Sequence, residues 1–159
     1  MVVWIIGLSG SGKSFLAKSL CQKFKNKKII WIDGDDVRKY ISYDLGYTIK
    51  DRKKNSLLIS NICKFLENKG FIVICSILSI FREHQKRNRK IFKKYIQIYI
   101  KSNIEDLKKI NNKKIYSNKK NIVGINIKFP KPFKSDFVIE RIKKKFDQNI
   151  LKKIYKKIK

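Results

Sequence analysis

Val2-Val3-Trp4-Ile5-Ile6-Gly7-Leu8-Ser9-Gly10-Ser11-Gly12-Lys13-Ser14 stands at the start of the chain, and the order of its parts decides the fold. Five apolar residues run into a glycine, as a buried parallel strand would. From Lys13 onward, Phe15, Leu16, Leu20 and Phe24 recur close to helical spacing. Between the two lies the full pattern GxxxxGK[ST]. Its glycines let the backbone curl so that N–H groups and the helix N-terminus converge on an anion. An ordinary Gly/Ser turn between strand and helix is the plainer alternative, but such a turn requires neither the eight-residue pattern nor both flanks. Gly7, Leu8, Ser9, Gly10, Ser11, Gly12, Lys13 and Ser14 are therefore read as a cradle for the phosphates of ATP. Lys13 would reach the β- and γ-phosphates, and the Ser14 hydroxyl would bind Mg²⁺.

Outward from this loop the chain alternates strand and helix. Residues 29–32 form a second apolar run that ends at Asp33-Gly34-Asp35-Asp36, where an acidic turn can cap a short helix at Asp35 or Asp36. A longer helix is expected from Asp51, with Leu57, Leu58, Ile62, Phe65 and Leu66 on one face and Gly70 at its end. Residues 71–78 are the most apolar strand, followed by a polar helix over about 82–93, a fourth strand at 95–100 and a short helix at 103–109. Over 110–134 periodicity fades and both prolines appear, so this stretch reads as a mobile lid over the site. Phe137, Val138 and Ile139 form a short fifth strand, and 142–158 a Lys-rich terminal helix. The expected fold is α/β in three layers, a P-loop NTPase fold whose parallel sheet of about five strands is flanked by helices with right-handed crossovers. The domain is placed at 1–140 and a basic C-terminal helix at 141–159.

A chain of 159 residues accommodates one such core. No stretch approaches the ~20 apolar residues of a membrane span, and nothing resembles an export signal, so the cytoplasm is the expected location. Cys21, Cys63 and Cys75 are odd in number and show no CxxC spacing, which favours reduced, mostly buried thiols. His84, the single histidine, stands in a charged run and reads as a solvated surface residue. The net charge of +28 attracts polyanions in general. Yet only six of the 40 basic residues are arginine, in a chain crowded with Lys, Ile and Asn. That is compositional drift more than a dedicated nucleic-acid surface, although the field would still steer anionic nucleotides toward the protein.

Asp33 and Asp35 stand at the carboxyl end of the second strand, the edge at which open α/β sheets bind ligands. One carboxylate there can organise a metal shell and one can accept the proton of an attacking hydroxyl. Arg38 and Arg52 keep arginine in a lysine-saturated chain, which suggests planar, bidentate anion binding.

With these residues in place the chain resembles the adenylylsulfate kinases, which transfer the γ-phosphoryl of ATP to the 3′-hydroxyl of adenosine 5′-phosphosulfate. The resemblance runs from Val3 to about Glu140. It rests on Trp4 with the loop Gly7 to Ser14, on Asp33-Gly34-Asp35-Asp36-Val37-Arg38, on Asp44-Leu45-Gly46-Tyr47, on Asp51-Arg52 with Asn55, and on Leu78-Ser79-Ile80-Phe81-Arg82. It implies that Asp33 and Asp35 organise metal and acceptor, with Ser14 and Asp35 as the metal-binding pair. Arg38, Arg52 and Asn55 would grip the acceptor's anionic groups, and Tyr47 would face its base. Ser79 matches a serine associated in the family with a phosphoserine intermediate, against which stands a plain hydrogen-bonding role. Where the family reads Arg-Asp-Pro near the ATP adenine, this chain has Ile110-Asn111-Asn112. Where the family reads Asn-Phe-Thr-Gly, it has Asn121-Ile122-Val123-Gly124, so Ile122 replaces an aromatic against the acceptor base. The resemblance also allows a homodimer.

The expected reaction is ATP-dependent phosphorylation of adenylyl sulfate. Two other readings stay open: a kinase on the same scaffold acting on another nucleotide, such as cytidine diphosphoramidate, and a noncatalytic nucleotide- or nucleic-acid-binding protein.

Overall fold

The computed structural model describes residues 1–110, 120–142 and 145–159. β1 (Val2–Gly7), fully buried along its length, leads through the glycine loop into α1 (Lys13–Lys23). β2 (Ile29–Asp33), α2 (Gly34–Tyr40), α3 (Ile49–Asn68) and β3 (Ile72–Ile77) follow. α4 (Arg82–Ile91), β4 (Tyr95–Lys101), α5 (Ile104–Ile110), β5 (Phe137–Ile142), β6 (Lys145–Phe146) and α6 (Gln148–Ile158) complete the order.

The sheet runs β2-β3-β1-β4-β5-β6, with the first five strands parallel and the two-residue β6 antiparallel to β5. The five-stranded parallel sheet with flanking helices matches the sequence reading; β6 and the longer β5 are additions. They shorten the terminal helix, which begins at Gln148, where the Asp147 carboxylate accepts from the N–H groups of Asn149 and Ile150. α6 buries Leu151, Ile154 and Ile158 against Val3, Ile5, Leu16 and Leu20 on one side of the sheet, while its lysines stay outside. On the other side, Trp4, Ile6, Val73 and Cys75 pack with Ile59 and Cys63 of α3. Cys63 and Cys75 are buried, Cys21 is half-buried, and all three are free.

The connection leaving β1 runs to β2 and the one leaving β3 runs to β4, in opposite directions along the sheet, so a crevice opens between the carboxyl ends of these two neighbouring strands. α3 starts two residues earlier than periodicity suggests. Thr48 caps it, accepting from the Asp51 N–H at 3.2 Å and donating to Asp51 Oδ2 at 2.7 Å.

Two expectations change. His84 is not on the surface: it is 5% exposed, with Nδ1 3.0 Å from the Ser56 hydroxyl across the α3–α4 contact. α4 meets α3 through polar groups, so its buried face carries no apolar signal. The second concerns the lid. Residues 111–119 fall outside the described residues, and with them the Asn111-Asn112 alignment. Within 120–134, defined contacts are made at 122–127 and at Phe133. Ile125, Asn126 and Ile127 donate to the Ile122 carbonyl. Val123 packs with Leu8 and Leu107, and the Phe133 N–H donates to Gln85 Oε1 at 2.6 Å.

Candidate active site

The glycines of the first loop have individual reasons. Gly10 and Gly12 take φ of 76° and 99°, the left-handed region that suits glycine. At Gly7 a Cβ would come within 2.6 Å of Ser11 Oγ, so the loop closes on itself only without a side chain there. The turn carries Lys13 back over the loop, where its ammonium donates to the Leu8 carbonyl at 2.8 Å. Withdrawal from water pushes its pKa down to about 8, against the upward pull of Asp35 and Asp33. A phosphate in the loop would supply the negative charge this lysine lacks. The Ser11 hydroxyl is buried with no hydrogen-bond partner among the described residues, a polar atom held inside the loop.

Asp33 organises the second side. Its Oδ1 accepts from the Asp35 N–H at 2.9 Å, so the cap of α2 is Asp33 and not Asp35 or Asp36. Its Oδ2 accepts from the Ser14 hydroxyl at 3.0 Å and the Ser76 hydroxyl at 2.7 Å. Of the two carboxylates, then, it is Asp33 that meets Ser14, where the resemblance paired Ser14 with Asp35. Asp35, freed from capping, is exposed at the cleft wall.

The third side is built around Tyr47. The Arg38 guanidinium lies 4.7 Å and that of Arg52 5.3 Å from the Tyr47 ring centre, both within cation–π range. Arg38 donates to the carbonyls of Leu45 and Gly46, and Arg52 to those of Tyr47 and Asn121. Burial lowers the pKa of Arg52 and the Arg38 charge adds to the effect, so the pair forms a concentrated positive site. Asn55, buried behind them, has its carbonyl oxygen fixed by the Ser42 hydroxyl at 2.7 Å.

These three sides enclose one cleft of about 560 Å³. Ser9, Gly10, Gly12, Lys13, Ser14, Asp33, Asp35, Arg38, Tyr47, Arg52, Asn55 and Ile122 all line it. Gly7, Leu8 and Ser11 shape the loop from behind. Ser79 is not brought in: it is 1% exposed, outside the lining, and its hydroxyl is 3.4 Å from Gln85 Nε2. This geometry is that of the hydrogen-bonding alternative and presents no open hydroxyl for a phosphoserine intermediate. The sequence reading missed Phe15, Ser76 and Lys120, which also line the cleft. Phe15, counted by its spacing among the apolar positions of the first helix, is 58% exposed beside the site and belongs to the cleft wall.

The arrangement of phosphate loop, carboxylates and paired arginines is that of a phosphotransferase, and the family model described as Adenylylsulphate kinase matches residues 1–140. The chain belongs to the adenylylsulphate kinase family. Among relatives of this kinase, the cytidine diphosphoramidate kinase of Campylobacter jejuni is 35% identical, over 87% of this chain and 84% of that protein. The adenylyl-sulfate kinase of Clostridium acetobutylicum is 34% identical, over 89% and 75%. Among solved structures, the Mycobacterium tuberculosis APS kinase CysC, in complex with AMPPNP and APS, superposes with a TM-score of 0.86 at 25% identity. The match covers 97% of this chain and 95% of that one. No helix among the described residues is long and apolar enough to cross a membrane.

Proposed function

We propose that this kinase transfers the γ-phosphoryl group of ATP to the 3′-hydroxyl of adenylyl sulfate. The observation that carries this reading is a single cleft in which the phosphate loop faces Asp33 and Asp35 on one wall and the Arg38–Arg52 pair on another. A donor and an anionic acceptor thus have separate charged seats across a shared space, as in-line transfer requires.

On the donor side, Lys13 and the loop N–H groups hold the β- and γ-phosphates. Ser14 and Asp33 supply an oxygen-only pair that suits a hard cation, and no cluster of three or more His, Cys, Asp or Glu exists among the described residues. Mg²⁺ fits such a site, because it takes few protein ligands and completes its shell with phosphate oxygens and water. When bound, it offsets the charge that develops between the β- and γ-phosphates. Asp35, exposed at the cleft wall, receives the proton of the attacking ribose hydroxyl. Arg38 and Arg52 hold the acceptor's phosphosulfate, with Asn55 fixed behind them. Domain boundaries at 1–140 and 141–159 belong to the same proposal.

Cytidine diphosphoramidate is the second reading for the acceptor. Ile122 lines the cleft where the resemblance expects phenylalanine, and an aliphatic wall discriminates weakly between purine and pyrimidine. The Campylobacter relative named for that acceptor adds weight. The deciding experiment incubates the protein with Mg-ATP and either adenylyl sulfate, cytidine diphosphoramidate or simple nucleotides and follows ADP release. Adenylyl sulfate is expected to give the highest kcat/KM. Turnover of the cytidine compound alone would move the protein to the second reading, and turnover of none would remove the kinase proposal.

A further inference from the structure

We infer that Trp31 and Ser76 are positioning residues that fix the Asp33 carboxylate for the metal–nucleotide complex; the inference rests on the proposed donor site. Parallel pairing of β2 with β3 sets Asp33 opposite Ser76, and Trp31, two residues earlier, points to the same face of the sheet. The Trp31 indole N–H donates to Ser76 Oγ at 2.8 Å, and the Ser76 hydroxyl donates to Asp33 Oδ2 at 2.7 Å.

The direction of this chain is fixed by chemistry. An indole nitrogen can only donate, and an ionised carboxylate can only accept. The serine hydroxyl between them therefore has one orientation, with its proton on the carboxylate. Ser76 is 2% exposed, so its hydroxyl relies on these two partners more than on bulk water. The indole also explains an odd placement: Trp31 sits on the outermost strand of the sheet and remains 36% exposed, which apolar burial alone does not favour.

Asp33 needs such support because its Oδ2 has two hydroxyl donors with different fates. Ser14 belongs to the phosphate loop, and its oxygen keeps lone pairs for the cation while its proton stays on Asp33, so this donor's position follows the loop and the nucleotide. Ser76 lies on β3, outside that loop. It holds Oδ2 in place while the Asp35 N–H holds Oδ1. Both oxygens are then aimed before nucleotide arrives, the preorganisation that outer partners give to metal-binding carboxylates.

The test uses the full chain and titration calorimetry with ADP, in the presence of Mg²⁺ and in EDTA, with activity at varied Mg²⁺ as a second readout. Ser76→Ala should weaken MgADP binding about tenfold and raise the Mg²⁺ needed for half-maximal rate in proportion. Binding of metal-free ADP should stay unchanged. Trp31→Phe, which removes the indole N–H with its five-membered ring and keeps an aromatic side chain, should move both quantities in the same direction by less. Ser76→Thr should restore them. If Ser76→Ala fails to fold, the Trp31→Phe and Ser76→Thr pair carries the test. Equal losses with and without Mg²⁺, or none in Trp31→Phe, would overturn the inference and leave the chain as ordinary strand pairing. The calorimetry reads the relay even if no acceptor is turned over, so failure of the proposed reaction and failure of the relay remain distinguishable.

Discussion

On the phosphate side of the cleft, the backbone of Gly7 to Ser14 is shaped by two left-handed glycines and by the buried end of β1. On the proposed acceptor side, Arg38 of α2 and Arg52 of α3 hold the loops that carry Tyr47 and Asn121 through arginine-to-carbonyl hydrogen bonds. The first arrangement is local in sequence and fixed by sterics. The second joins residues 69 positions apart, as between Arg52 and Asn121, and depends on a few side chains. Phosphate binding is the demand shared by P-loop kinases, and acceptor recognition is the demand that varies. The contrast predicts that changes on the donor side abolish turnover for every acceptor, whereas those on the acceptor side redistribute it.

The largest effect should come from Lys13→Ala, with kcat reduced by at least about a hundredfold for any acceptor, as when a preorganised charge donor is removed. The melting temperature should hardly move, since Lys13 makes one backbone hydrogen bond and is held out of water at a cost. Activity within a few fold of wild type would break the comparison, because the loop would not then be the phosphate seat. Next in size is Arg52→Lys. The charge survives, but a lysine cannot donate simultaneously to the carbonyls of Tyr47 and Asn121. Hydrogen bonds from charged donors are each worth ~1.5–3 kcal/mol, so the acceptor KM should rise about tenfold or more with the KM for ATP unchanged. Equal changes in both constants would mean that the two sides are not separable.

The same division governs what the sequence makes legible. Strand, glycine loop and helix can be read directly because each signal lies within a dozen residues of the next. Parallel pairing and the shared edge for Asp33 and Asp35 follow from the alternation of elements, whereas the strand order does not. Ser76 beneath Asp33 cannot be read that way, because strand register pairs residues 43 apart, whereas the cap of α2 is local and an acidic turn with three carboxylates simply leaves the choice among them open. His84 was misplaced for a different reason. The buried face of α4 consists of His84, Gln85 and Asn88, and polar residues register as solvated in any apolar-periodicity reading. What could have revealed it is a matched spacing: Ser56 and Ser60 on α3 face His84 and Asn88 on α4, each pair four residues apart.

Ile122→Phe probes the acceptor wall directly. A phenylalanine there should improve kcat/KM for adenylyl sulfate over cytidine diphosphoramidate by about two- to tenfold, the ~0.5–1.5 kcal/mol that an aromatic contact adds beyond burial. Competition between the two acceptors in one reaction measures the ratio without separate calibration. An unchanged ratio would show that position 122 does not touch the base, and selectivity would have to be sought at Tyr47.

The smallest expected effect concerns the helix that carries the proposed acceptor residues. α3 presents Arg52 and Asn55 to the cleft, and the next residue, Ser56, binds His84. Burial lowers the pKa of His84 below its ordinary 6.5; Glu83 opposes the shift, while Lys53 and Arg87 reinforce it. The folded protein therefore binds fewer protons here than the unfolded chain, and stability must rise with pH across this window. The contribution is fully present above the unfolded pKa, near 6.5, and is lost as pH falls toward the lower folded value. Thermal melts between about pH 7.5 and about pH 5.5 should show this decline. His84→Asn, which keeps a polar partner for Ser56 but cannot titrate, should flatten it. Acceptor KM should drift upward over the same range in wild type, ahead of the KM for ATP, because the α3–α4 contact supports only the acceptor side. A slope that persists in His84→Asn would assign the pH response to other groups and leave the two sides equally sensitive to acid.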